Sequence, residues 1–253
     1  MKSIFNWSGG KDSALALYHT LKEKKYNVTT LLTTVNEEYD RVSMHGVRKQ
    51  LLYKQAEAIG IPVKAICLPE SPSMLVYETI MKKELLKLQK TGITHSLFGD
   101  IFLEDLKHYR ENKLQEIGLS AHFPLWKRNT RDLIREFIDL GFRTIIVCVK
   151  ADVLGQEFAG RIIDKDFLTD LPKNIDPCGE NGEFHTFVFD GPIFKNPIPI
   201  EVGKTIYREY INNCASNTTN CSSNANVCPS SNSTSKNNMG FYFCDLLEKQ
   251  NPI

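Results

Sequence analysis

The chain of 253 residues is long enough to bury a sizeable core, as one large domain or two small ones. Its 31 basic and 30 acidic residues leave a formal net charge of +1, so no global field draws it to nucleic acid, and 42% apolar with 24% charged residues is ordinary for a globular protein. No apolar run is long enough to cross a bilayer, no secretory leader precedes the first strand, and the seven cysteines include no Cys-x-x-Cys pair; a cytoplasmic protein without a membrane span or a disulfide framework is expected.

The first apolar run, Ile4-Phe5, leads into Asn6-Trp7-Ser8-Gly9-Gly10-Lys11-Asp12-Ser13 and then into a helical pattern with Ala14, Leu17, Tyr18 and Leu21 on one face. Strand, glycine turn and helix in that order suit a phosphate-binding loop. With no Cβ at Gly9 and Gly10 the backbone can aim its amides at an oxyanion; the start of the helix adds partial positive charge and Lys11 a full one. A carboxylate at Asp12 would be repelled by phosphates unless a cation lay between them, so Asp12 is expected to help hold Mg²⁺. The plainer alternative is a glycine turn with a helix cap.

Residues 28–34 read as a buried second strand whose end, Thr33-Thr34-Val35-Asn36, places polar groups where open parallel sheets bind ligands. A loop over 40–46, containing Met44 and His45, precedes a helix over 47–59 closed by Gly60. A third strand over 63–68, a lysine-rich helix over 74–90, a fourth strand over 95–98 ending in Gly99-Asp100, and a helix over 103–117 follow. This alternation predicts an α/β fold with a parallel, doubly wound sheet. Pro124-Leu125-Trp126 closes the unit, so the boundaries are set at 1–126 and 127–211. In the second unit a helix over 130–140 leads to the most continuous apolar strand, 142–149, after which the pattern turns irregular.

Asp176-Pro177-Cys178-Gly179-Glu180-Asn181-Gly182-Glu183-Phe184-His185-Thr186 packs acids, a cysteine, a histidine and two glycines into one turn before an apolar strand over 187–189. Such a turn is either a functional loop or a polar hairpin with solvated carboxylates. Residues 212–238 are dominated by Asn, Ser and Thr and are predicted to be disordered, with Cys214, Cys221 and Cys228 carried in low-complexity sequence. The segment 239–253 is apolar again over 241–247; a terminal strand there would make the polar tract an insertion.

Ser-Gly-Gly-Lys-Asp-Ser is not a Walker A sequence; it resembles the pyrophosphate loop of the N-type ATP pyrophosphatases. Taken with Phe98-Gly99-Asp100 and the late acidic turn, it resembles the diphthine–ammonia ligase family over about residues 2–196. The resemblance implies a Rossmann-like, adenine nucleotide α-hydrolase-like parallel sheet followed by a smaller α+β domain. The implied reaction joins ammonia to diphthine on elongation factor 2, using ATP and releasing AMP and pyrophosphate. By the same resemblance Ser8, Gly9, Gly10, Lys11, Asp12 and Ser13 hold pyrophosphate, and Thr33, Met44 and His45 lie near the nucleotide. Gly99 and Asp100 then sit by the α-phosphate, and Glu180 and Glu183 face the acceptor or ammonia. His185 stands where many family members have Glu.

A carboxylate will not condense with ammonia at neutral pH without a better leaving group, which adenylation supplies. Glu183 or His185 is the expected base for ammonium. Cys178 is either a thioester nucleophile or a packed thiol, with packing favoured. No glutaminase unit is expected, no nucleic acid or membrane partner is implied, and a homodimer is left open. The rival readings are the same ATP chemistry on a small-molecule acid or a tRNA base, and a nucleotide-sensing module without transfer.

Overall fold

The computed structural model describes residues 1–43, 45–211 and 238–249. Strand β1 (Lys2–Asn6) sits at the centre of the first sheet because both its faces are apolar. Ile4 packs into one hydrophobic cluster and Phe5 into the other, and neither is exposed. Helix α1 (Lys11–Glu23) follows it, and then β2 (Asn27–Asn36), which lies parallel to β1. A short antiparallel strand, β3 (Arg41–Val42), caps the end of β2; helix α2 (Lys49–Ile59) and parallel strand β4 (Val63–Leu68) come next. After helix α3 (Met74–Gln89) the chain crosses to the other side of β1 and lays down β5 (His95–Leu97), helix α4 (Glu104–Gln115) and β6 (Ser120–His122), all strands parallel.

The parallel strands therefore run β4-β2-β1-β5-β6, and the order reverses between β1 and β5. Ligands of such sheets bind beyond the carboxyl ends of the strands at this reversal. Asn6 joins the two strands there, its amide nitrogen donating to Ser96 Oγ and to the Leu97 carbonyl, each at 2.8 Å. Side chains of α3 and α4 cover one face, with Leu85 and Leu114 packed against Ile4, Leu32 and Ile66. Those of α1 and α2 cover the other, so the sheet is doubly wound as predicted.

Helix α5 (Thr130–Asp139), capped by Asn129, leads to a second, antiparallel sheet. It contains β7 (Arg143–Lys150), β8 (Phe184–Asp190), β9 (Ile200–Ile211) and β10 (Asn238–Glu248) in the order β8-β7-β10-β9, with short helix α6 (Lys165–Asp170) in the connection before β8. Strands β6 and β9 and helix α6 were not foreseen. β6 is three residues held by its partner β5, and β9 alternates poorly because Val202, Ile206 and Tyr207 are exposed. Residues 241–247 do return as a strand, with β10 inserted between β7 and β9. The predicted disordered tract, up to residue 237, and Met44 lie outside the described residues. The four cysteines described, Cys67, Cys148, Cys178 and Cys244, are all free thiols.

One apolar cluster spans both sheets, joining Phe5, Trp7, Leu17 and Leu52 to Phe187 and Val188. Gln55, fully buried on α2, is the polar tie inside it. It accepts from Trp7 Nε1 at 2.9 Å and donates to the carbonyls of Gly9 at 2.9 Å and Val188 at 2.7 Å. Replacing Gln55 by Ala leaves these groups buried without partners, so urea unfolding is expected to show a loss of about 2–4 kcal/mol.

Candidate active site

The loop after β1 turns at Gly9, whose φ of +81° is open to glycine at little cost, and a Cβ there would stand 2.7 Å from Gln55 Oε1. Ser8 Oγ accepts from the Gly10 amide at 3.2 Å and lies 3.1 Å from Ser13 Oγ, which in turn donates to the Gly10 carbonyl at 2.8 Å. Helix α1 begins at this loop with Gly10, which has no side chain to cap it, as its N-cap, leaving the first-turn amides after Lys11 available to an anion. Strand β8 closes the other side: the Lys11 amide donates to Thr186 Oγ1 at 3.0 Å, and the Val188 amide to the Gly9 carbonyl at 2.9 Å.

A cavity of about 130 Å³ opens where these pieces meet, walled by Ser8, Gly10, Lys11 and Asp12 on one side and Glu180, Phe184, His185 and Thr186 on the other, with His45 above Gly10. Pockets that enclose whole small molecules run to roughly 300–1,000 Å³. This one suits a charged segment of a ligand whose remainder lies outside it.

Lys11 is 3% exposed, its Nζ 2.7 and 2.9 Å from the Asp12 carboxylate oxygens and 5.5 Å from the centre of the Phe184 ring. Burial pulls the ammonium pKa down, but Asp12, aided by Glu180, outweighs it and leaves the lysine above its ordinary value, fully charged. Burial pushes the Asp12 carboxyl up despite Lys11. Glu180 Oε1 accepts from the Ile101 amide at 2.8 Å, at the carboxyl end of β5. Burial, with the charge on Asp12 adding to it, raises the Glu180 pKa to about 7. The His45 and His185 rings are adjacent, their centres 4.7 Å apart and their planes tilted by 35°, and His45 Nδ1 is 3.1 Å from the Thr186 carbonyl. Burial lowers His45 to about 4 and His185 to about 3, with Lys11 pushing the same way, so both rings are neutral at physiological pH.

Of the predicted site residues, the structure gathers Ser8, Gly10, Lys11, Asp12, His45, Glu180 and His185 around the cavity. The others among the described residues lie elsewhere. Gly9 and Ser13 shape the loop from within, and Thr33 is buried in β2. Gly99 backs onto α1: a Cβ there would stand 2.9 Å from the Ser13 amide nitrogen. Asp100 is paired with Arg110 at 3.1 Å. Glu183, 6% exposed, turns into its own loop, where its carboxylate accepts from the amides of Asp176 and Asn181 and from the Asn181 side chain at 2.9–3.2 Å. Cys178 is buried, donates to the Thr130 carbonyl at 3.3 Å and has its thiol pKa pushed up by burial, the state of a packed residue. Phe184 and Thr186 were quoted in the late turn without a role, and Gln55 gave no signal, since its task depends on two distant carbonyls.

Asp12 on the cavity wall is a hard oxygen donor that fits Mg²⁺, which takes one or two carboxylates and fills its shell with water and phosphate oxygens. Among the described residues there is no cluster of three His, Cys, Asp or Glu that would hold an ion without such help. None of the described helices is long and apolar enough to cross a membrane.

A glycine-turned loop, a helix start and a buried lysine at the reversal of a parallel sheet define an α/β protein of the kind that takes phosphate groups at its strand ends. The family model described as the diphthamide synthase N-terminal domain matches residues 1–121, and that described as the diphthamide synthase C-terminal domain matches residues 129–217. The chain belongs to the diphthamide synthase family. It is similar to the mouse diphthine–ammonia ligase, 28% identical over 79% of this chain and 82% of the relative, and to the human one, 34% identical over 49% of each. Among solved structures, the U34-tRNA thiolase NcsA from Methanococcus maripaludis overlaps 56% of this chain and 58% of its own at 17% identity, with a TM-score of 0.35.

Gly99→Ala would drive a methyl group against the backbone of Asp12 and Ser13 and push the start of α1 off the cavity. A loss of about 1–3 kcal/mol in thermal or urea unfolding is expected, together with weaker ATP binding by calorimetry.

Proposed function

We propose that the cavity receives the phosphates of ATP and that the enzyme adenylates the carboxylate of diphthine on elongation factor 2, releasing pyrophosphate, and that ammonia then attacks the acyl carbon and displaces AMP to give diphthamide. The observation that carries this reading is the joining of the phosphate loop to the late acidic turn. Lys11 and Glu180, 169 positions apart in the sequence, line the same cavity beside a helix start. Membership of the diphthamide synthase family favours diphthine over a small acid or a tRNA base, and an enzyme over a nucleotide sensor. A cytoplasmic enzyme is part of the same reading.

Lys11 and the first amides of α1 are charge partners for departing pyrophosphate, held in position before the reaction begins. Asp12 would hold Mg²⁺, which when bound neutralises phosphate charge. Ammonium must lose a proton before its nitrogen can attack the acyl carbon. Glu180, titrating near neutrality at the cavity wall, is the fitting acceptor for that proton. His185 and His45 hold a proton too weakly to take one from ammonium, and Glu183 is engaged by its own turn, so neither expected base keeps that role. The two imidazoles serve as neutral walls that hydrogen-bond without adding charge beside Lys11.

Incubation with ATP, Mg²⁺, ammonium and diphthine-bearing elongation factor is expected to give AMP and pyrophosphate in step with a carboxamide seen by mass spectrometry. ADP and phosphate, or AMP without amide, would overturn the reading. Lys11→Ala is expected to lower turnover by roughly 10²–10³-fold, the scale of losing a preorganised charge-stabilising donor. Turnover should rise with pH through about 7 as Glu180 deprotonates. Glu180→Gln should remove that limb and cost roughly 10²–10⁴-fold. The sign for stability is opposite. A carboxyl raised on folding loses its contribution as pH climbs from its unfolded value to about 7, so Glu180→Gln is expected to match the wild type near pH 4 and exceed it in Tm at pH 8.

A further inference from the structure

The turn that carries His45 is held from behind by the last strand of the chain. Asp245, on β10, receives Arg48 through both carboxylate oxygens, from Nη2 at 2.6 Å and Nε at 3.1 Å, and Arg41 Nη1 at 2.9 Å. Arg41 and Arg48 bracket the turn and pair with each other as an isolated bridge, and the same Arg41 Nη1 also donates to the Gly46 carbonyl at 2.6 Å. Gly46 has φ +67° and lies so close to Phe243, also on β10, that a Cβ would come within 2.9 Å of its ring. On the cavity side, His45 packs over Gly10 and reaches the Thr186 carbonyl. The turn is therefore gripped on one side by β10 and pressed on the other against the phosphate loop.

We propose that Asp245 is a positioning residue for the phosphate site, fixing the Arg41–Arg48 bracket so that His45 stays in the cavity wall above Gly10. This rests on the reading of the cavity as the place of the ATP phosphates. Neither family model reaches β10: one ends at residue 121 and the other at 217. A side chain outside both matched regions thus completes a wall of the site inside them. The carboxylate suits the task, since a bidentate guanidinium pair sets direction as well as distance. Burial pushes the Asp245 carboxyl up, but Arg48 and Arg41 reverse this and leave it below its usual range, so it is ionised wherever the enzyme would work.

The control lies on the same strand. Glu248 docks β10 onto α2 through Lys54 at 3.2 Å and Gln50 at 3.1 Å, away from the His45 turn. In the full chain with Mg²⁺ and ATP, Asp245→Asn is expected to weaken ATP binding roughly five- to ten-fold by calorimetry, the range of coupling between residues in one hydrogen-bonded network. It should also speed hydrogen exchange at the Val42, His45 and Gly46 amides, while Glu248→Gln changes neither. Arg48→Lys, which keeps the charge but loses the two-point grip, should act in the same direction and serves if Asp245→Asn does not fold. In a His45→Ala background Asp245→Asn should have little further effect on affinity. Unchanged affinity in both Asp245→Asn and Arg48→Lys, full additivity with His45→Ala, or an equal effect of Glu248→Gln would overturn the proposal alone. A wild-type chain that binds no ATP would overturn the phosphate reading and this proposal with it.

Discussion

The structure depends on the hydrogen bonds that pin the loop after β1 to β8. Thr186 Oγ1 takes the Lys11 amide, the Val188 amide takes the Gly9 carbonyl, and Gln55 joins that carbonyl to Val188 and Trp7. A glycine turn alone is loose, because the residues that allow its shape also allow many others. Here the freedom is removed from outside, by a strand of the second sheet and a glutamine buried between the layers. The loop is thereby shaped before any ligand arrives, and no binding energy is spent on ordering it.

The same contacts explain the charges. Bringing β8 over the loop buries Lys11, and a buried ammonium needs a partner, which Asp12 supplies from the adjacent position. Burial also decides the protonation of the groups around it. The pKa of the Glu180 carboxyl is raised to about 7 and the imidazoles of His45 and His185 are held uncharged, so one small cavity contains a fixed cation, a titratable acid and two neutral rings. A site that must accept polyphosphate and also take a proton needs both kinds of group, and the separation arises from depth and neighbours more than from residue type.

The second sheet has two roles toward the site. β8 forms its wall and β10 braces the turn opposite, through Asp245 and Phe243. Both strands flank β7, the most continuously apolar strand in the chain, which anchors them to the shared core. The first sheet supplies the glycine-turned loop, and the antiparallel layer walls the cavity beside it.

Much of this was open to reading in the chain. The alternation of apolar runs with helical patterns marked a doubly wound parallel sheet, and Ser8 to Ser13 between a strand and a helix marked the phosphate loop, because spacing and backbone freedom are local properties. The late turn announced itself by crowding acids and glycines together. Which of its acids faces the cavity was not local. Glu180 and Glu183 are both glutamates three positions apart, yet one reaches the Ile101 amide of another layer and the other folds back on Asn181. Gly99 read as a ligand contact, and the fold gives it the further task of clearance for α1, while β6 and β9 have too little pattern of their own to be seen without their partners. The sequence alone determined the elements and the loop, since these follow from neighbours a few residues away. Only the tertiary structure decided which carboxyl titrates near neutrality, which histidines stay uncharged and what Asp245 holds, because desolvation and ion pairing are set by groups up to two hundred residues distant along the chain.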